Sequence, residues 1–171
     1  MVPGLILAAI AGLVAIVIWQ RYRRLARERF IRNYPQSGYV SLMMLDVETG
    51  KEHEMAKIPG PGGPNGPPSW SPDGKHVAVS LLFPPPRSST TVALFNPDNG
   101  ERRDFFTRTG AFLGSLAWLP DGTALAMTGF DLANTLTNQV FLLTYPDGKF
   151  RRVTNDFNTY NGVSIGAGEM A

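Results

Sequence analysis

Two segments of the chain repeat in register. PSWSPDGKHVAVS begins at Pro68 and SLAWLPDGTALAMT at Ser115, which sets Trp70 and Trp118, Asp73 and Asp121, and Gly74 and Gly122 each 48 residues apart. A second signature keeps step with the first: LDVETGKEHE, FNPDNGERRD and TYPDGKFRRV place Gly50, Gly100 and Gly148 at spacings of 50 and 48. A period of about 40–50 residues with several short strands per unit is the mark of a propeller blade. Both signatures are hairpin chemistry. In W-x-P-D-G the proline fixes φ near −65°, the aspartate bonds backbone two residues on, and the glycine takes positive φ. Trp70, Pro72, Asp73, Gly74 and their counterparts Trp118, Pro120, Asp121, Gly122 are therefore expected to be structural, with both tryptophans packed between neighbouring blades.

The texture after Tyr39 agrees. YVSLMMLD, HVAVSLL, TTVALFN, ALAMTGF and NQVFLLTY are short, apolar, rich in β-branched or aromatic residues, and bounded by turn residues. No stretch after residue 33 carries a sustained helical period with caps. The fold class is all-β: a partial or open propeller-like domain of antiparallel blades over residues 39–171. It divides into an outer half-blade at 39–57, a Pro/Gly connection at 58–68, full blades at 68–107 and 115–154, and a partial blade at 162–171. The last aligns GVSIGAGEMA with SLAWLPDGTAL but has Ser164 at the tryptophan position and Ala167 at the aspartate position. Closed propellers use about four to eight four-stranded blades, so such an array leaves edges that another chain can cover.

These blades resemble the β-propeller repeat of TolB-type proteins. A similar stretch occurs in the propellers that follow a membrane helix in some bacterial serine/threonine kinases. The resemblance covers about residues 39–171. It implies a fold, not a task, because propellers host many functions.

The other end of the chain is unlike a blade. Residues 1–19 carry no charged side chain, and nine of the residues from Leu5 to Ile18 are Leu, Ile or Val. About 19 helical residues span roughly 28 Å, the thickness of a hydrocarbon core. Residues 1–20 read as a transmembrane α-helix with Trp19 as interfacial anchor. A cleaved signal peptide fits less well, because no basic side chain precedes the run and WQRYRRLARER follows it instead of a small-residue cleavage site. Ala8, Ala11, Gly12 and Ala15 form a small-residue face suited to helix–helix contact with other integral membrane subunits.

Residues 21–38 read as a basic juxtamembrane stalk. Arg21, Arg23, Arg24, Arg27, Arg29 and Arg32 against Glu28 give a local charge of +5, while residues 33–171 hold ten basic and thirteen acidic residues, a local −3. The arginine cluster places the β domain on the cytoplasmic side of a bacterial inner membrane with the N-terminus outside, and it can attract anionic lipid headgroups. The mildly acidic remainder lacks the basic face that nucleic acid needs.

No catalytic constellation emerges. There is no cysteine, and His53 and His76 fall on different repeat units. The hydroxyls of Ser88, Ser89, Thr90 and Thr91 lie in no G-x-S-x-G frame, and the kinase motif set is missing. NPDNGE from Asn96 lacks calcium-loop spacing and reads as a turn. FPPPR from Phe83 reads as a stiffened loop. Phe105, Phe106, Phe112 and Phe130 are expected in the inter-blade core or an interface patch. No cofactor and no metal are expected.

The leading expectation is a non-catalytic, single-pass scaffold subunit of a membrane complex. It would meet partners through helix 1–20, through the open β-domain ends and through the 58–68 segment. The alternative is a truncated sensor propeller of a receptor-type kinase or a TolB-like envelope protein. Topology separates the two. Replacing Arg21, Arg23, Arg24 and Arg27 with neutral residues should weaken cytoplasmic retention of a C-terminal reporter. An extracytoplasmic signal from the unaltered chain would favour the sensor.

Overall fold

The structure is a computed structural model and describes residues 38–85, 88–133 and 137–166. The expected transmembrane helix at 1–20, with Trp19, and the basic stalk, with Arg21, Arg23, Arg24 and Arg27, lie outside the described residues. Among the described residues no helix is long and apolar enough to cross a membrane.

Among the described residues, eleven strands form three antiparallel sheets. The first sheet pairs β1 (Tyr39–Leu45) with β2 (Glu52–Pro59). The second holds β3 (Gly63–Pro64), β4 (Ser69–Trp70), β5 (Val77–Phe83), β6 (Ser89–Phe95) and β7 (Arg102–Thr109). The third runs β8 (Ala111–Trp118), β9 (Ala124–Asp131), β10 (Gln139–Thr144) and β11 (Phe150–Arg152). Each full sheet is an up-and-down meander in which sequential strands are neighbours, as a propeller blade requires.

The Pro/Gly segment 58–68 departs from the expected plain connection. Gly63–Pro64 pairs with Leu82 and Leu81 of β5, and Ser69–Trp70 pairs with Ala78 and Val77. Together β3 and β4 form a broken inner strand in the place that β8 holds in the next blade, 48 residues on. Pro64, Pro67 and Pro68 have no N–H to give, which confines this strand to the sheet edge and interrupts it. The full blades thus begin at Gly63 and Ala111, a few residues earlier than the W-x-P-D-G signature suggests.

The second sheet is the middle layer. Alternation along β5 sends Val77, Val79 and Leu81 to one side, where they pack with Ala93, Phe95, Ile58, Leu42 and Met55 against the half-blade. Ala78, Val92 and Leu94 go to the other side and meet Leu113, Leu116, Leu125, Met127, Phe141 and Leu143 of the third sheet. Being covered on both faces explains why β5 reads as an apolar run interrupted by Ser80 alone instead of an alternating one. The outer strand β7 is largely polar and partly exposed.

A β-bulge recurs at the same blade position. The β1–β2 register shifts after Leu42 and skips Met55; the β6–β7 register shifts after Val92 and skips Phe105. A bulge lets two successive residues face one side. Met55 and Ala56 accordingly both pack into one core, and Phe105 and Phe106 into the other. Phe106 stacks on Phe150 at 5.0 Å and Phe150 on Phe141 at 4.9 Å, joining the outer strands of adjacent blades.

Candidate functional site

The repeated turns have one geometry. Gly74 N bonds Ser71 O at 2.9 Å, and Gly122 N bonds Leu119 O at 2.9 Å. The glycines have φ of 70° and 71°, a conformation that L side chains resist. Asp73 accepts from the Ser71 hydroxyl at 2.7 Å and Lys75 N at 3.1 Å. Asp121 accepts from Thr123 N at 3.0 Å and the Thr123 hydroxyl at 2.8 Å. These bonds favour the charged form. The Ser71 hydroxyl is the main cause holding the Asp73 carboxyl below the ordinary carboxylate value, and the Thr123 amide is the main cause for Asp121.

The two motif tryptophans differ. Trp118 is 6% exposed and meets Tyr145 edge-on at 5.2 Å, and Tyr145 in turn contacts Phe105 of the preceding blade at 5.4 Å. Trp70 is 50% exposed, contrary to the expectation that both pack between blades. The cause lies in what each meets. The position of Tyr145 is filled by Pro97 in the first full blade. The half-blade before Trp70 contributes only its two outer strands among the described residues, so no inner turn covers the indole.

Side-chain hydroxyls and one amide clamp the blades together. Thr90 is fully buried and donates to Ala111 O at 2.7 Å, while accepting from Leu113 N at 3.1 Å. Ser80 donates to Leu113 O at 2.6 Å, and Asn65 Nδ2 donates to the same carbonyl at 2.9 Å. Arg108 of β7 reaches Asp131 of β9 at 2.5 Å, where the carboxylate is 1% exposed. Reading one chain as isolated strands hides these partners, because each is roughly 20–50 residues away.

Two concavities lie between the blades. One of about 200 Å³ is walled by the two W-x-P-D-G turns with His76, Trp118 and Tyr145; His76 Nε2 is 3.3 Å from the Tyr145 hydroxyl. The other, about 510 Å³, sits by the inner strands and is lined by Asn65, Ser115, Thr128, Asn138, Asn161 and the stacked pair Phe112–Phe130. His53 and His76 are not brought together; His53 lies on β2 and His76 beside Tyr145. Among the described residues no group of three or more His, Cys, Asp or Glu side chains is placed to hold a metal ion.

The outward faces of the stack carry the apolar side chains that the cores do not use. On the half-blade Tyr39 is 61%, Met43 52%, Leu45 55% and Val47 88% exposed. Beyond the third sheet, Val153 is 39% exposed and Phe157 fully so.

This three-layered stack is a β-propeller architecture of the TolB-like kind. It is similar to TolB from Acinetobacter baumannii, with a TM-score of 0.57 and 19% identity over 75% of this chain and 33% of that one. It is also similar to oligogalacturonate lyase from Vibrio parahaemolyticus, with a TM-score of 0.54 and 14% identity over 68% of this chain and 36% of that one. The chain spans about a third of each, and at such identities the likeness is one of fold. No family model matches the chain, and no curated protein matches it.

Two outcomes follow from the turns. Trp118→Ala should cost about 3–5 kcal/mol in chemical denaturation of the full chain, whereas Trp70→Ala should cost about 1 kcal/mol or less; equal losses would contradict the difference in burial. Because the Asp73 and Asp121 carboxyls are held below their unfolded value, their contribution is complete above the ordinary carboxylate range and is lost as pH falls through and below it. The melting temperature should therefore drop toward roughly pH 3, and Asp73→Asn with Asp121→Asn should flatten that acid limb. An acid limb of the same depth in wild type and double variant would count against these turns as its source.

Proposed function

We propose that this chain is a non-catalytic, membrane-anchored interaction subunit that uses a partial propeller to hold partner chains. The observation that carries the reading is the set of apolar side chains left open at blade-to-blade positions, above all Met43, Leu45 and Val47. Ordinary single surface leucines need no explanation, but exposed apolar side chains grouped along β1 and the turn after it do. An uncovered β-hairpin edge is also a template for further pairing.

The apolar run at 1–19 and the arginines from Arg21 to Arg32 support a single-pass anchor in a bacterial inner membrane, with the β domain on the cytoplasmic side and anionic headgroups close to the arginines. The likeness to TolB supports the propeller architecture on which this reading rests. The blade turns, with Asp73 and Asp121 engaged in their own hairpins, serve the scaffold and not a reaction.

Isolation of the full chain from membranes in mild detergent tests the proposal. The chain should resist alkaline extraction and should migrate with associated mass, and Met43→Glu with Leu45→Glu should release that mass while leaving the chain in the membrane. A wild-type chain that runs as a single 18.7 kDa species would overturn it.

A further inference from the structure

The repeat sets a hydroxyl clamp at the inner strands, and at one of its occurrences the clamp is unmade. Between the two full blades the Leu113 carbonyl accepts both the Ser80 hydroxyl, at 2.6 Å, and Asn65 Nδ2, at 2.9 Å. One repeat of 48 residues later, Thr128 stands for Ser80 and Asn161 for Leu113. Among the described residues Thr128 and Asn161 make no such bond. Both lie on the wall of the larger concavity, about 510 Å³ in volume. Thr128 is 3% exposed, and its hydroxyl has no hydrogen-bond partner among the described residues. A hydroxyl so enclosed ordinarily has one, which marks this wall as built to receive a polar group from elsewhere.

The groups around Thr128 also keep unused capacity. Asn65 spends its Nδ2 on Leu113 O and leaves Oδ1. Asn138 Nδ2 donates to Asn161 Oδ1 at 3.3 Å, which leaves Asn138 Oδ1 as an acceptor and Asn161 Nδ2 as a donor. Ser115 Oγ accepts from Val163 N at 3.5 Å and keeps its own proton to give. Phe112 and Phe130, stacked at 4.8 Å, supply the aromatic part of the wall. No charged side chain lines the concavity. Its volume falls in the range of small-molecule sites, about 300–1,000 Å³.

We propose that this concavity is a binding site for a neutral saccharide. The chemistry of the wall selects that class. Without a charged group, an anionic or cationic ligand would give up its hydration with nothing to replace it. An extended peptide is held chiefly by a main-chain ladder along a strand edge. Here Pro64 and Pro67 have no N–H to offer such a ladder, and the backbone of Gly66 closes on β8, where a Cβ would stand 3.0 Å from Ser115 N. Recognition therefore falls to side-chain amides and hydroxyls. A sugar ring carries hydroxyls that both donate and accept, which matches a wall of mixed donors and acceptors. Its C–H groups suit the negative face of an aromatic ring. The site adds a small-molecule function to the chain and does not depend on what covers the half-blade.

Saturation-transfer NMR and titration calorimetry on the full chain, in a detergent without a sugar headgroup, test the proposal. The probes are maltose, cellobiose and N,N′-diacetylchitobiose at millimolar concentration, with digalacturonate, glucosamine and the blocked peptide acetyl-Gly-Gly-Gly-amide beside them. At least one neutral disaccharide should bind, and the charged sugars and the peptide should not. Thr128→Val removes the hydroxyl and keeps the shape of the side chain; Asn161→Ala removes an exposed carboxamide. Each should weaken that binding about 3- to 10-fold, the loss of one neutral hydrogen bond. Ser41→Ala, on the half-blade, should leave it unchanged. Because Asn161 is exposed, its variant carries the test even where Thr128→Val does not fold. Failure of all three neutral sugars to bind the folded wild-type chain overturns the proposal. So does binding that both wall variants leave intact, which puts the sugar elsewhere, and so does preference for digalacturonate, glucosamine or the peptide.

Discussion

Everything in this domain depends on one sheet covering the face of the next. A two-stranded hairpin such as β1–β2 is marginal in water by itself. The half-blade is held because Leu42, Met55, Ala56 and Ile58 lie on Val77, Val79, Leu81 and Phe95 of the middle sheet. The middle sheet has no free side: its second face is closed by Leu113, Leu125, Phe141 and Leu143. Stability in such an array is close to a sum of unit and nearest-neighbour terms, so the layer contacts set both the order of the domain and where it is weakest.

Hydrogen bonds tune these layers. The Leu113 carbonyl takes both Ser80 and Asn65, and Thr90 serves Ala111 and Leu113 together. The Ala111 carbonyl and the Leu113 amide and carbonyl, near the irregular start of β8, are thereby paired from the neighbouring blade, in keeping with the requirement that buried polar groups find partners. Arg108 and Asp131 add a charge pair across the same boundary. Breaking such a buried pair on one side strands the other charge, so it specifies register more than it adds strength. Gly129 belongs to this boundary too: a Cβ there would meet the Phe112 carbonyl oxygen at 2.2 Å.

The proposed function extends the same packing logic. Each blade covers the next, and the half-blade face of Met43, Leu45 and Val47 stays exposed among the described residues. The apolar residues there occupy the positions that neighbouring blades bury. On the proposed reading, this wide apolar face without a polar centre would meet a protein surface.

The sequence determined the repeat, the hairpin turns and the all-β class, because these depend on local chemistry: proline and glycine at fixed offsets, aspartate beside free amides, and runs of β-branched residues. Trp70 and Trp118 were legible as equivalent positions for the same reason. Their fates were not. Trp118 is closed over by Tyr145 and the preceding blade, while Trp70 faces a half-blade with no inner turn among the described residues. The strand inside the 58–68 segment was hidden because its pairing comes from β5, not from its own proline-rich composition. The tertiary structure alone decided which apolar strands end up covered, since burial is a property of the layer opposite and no residue carries that layer in its own neighbourhood.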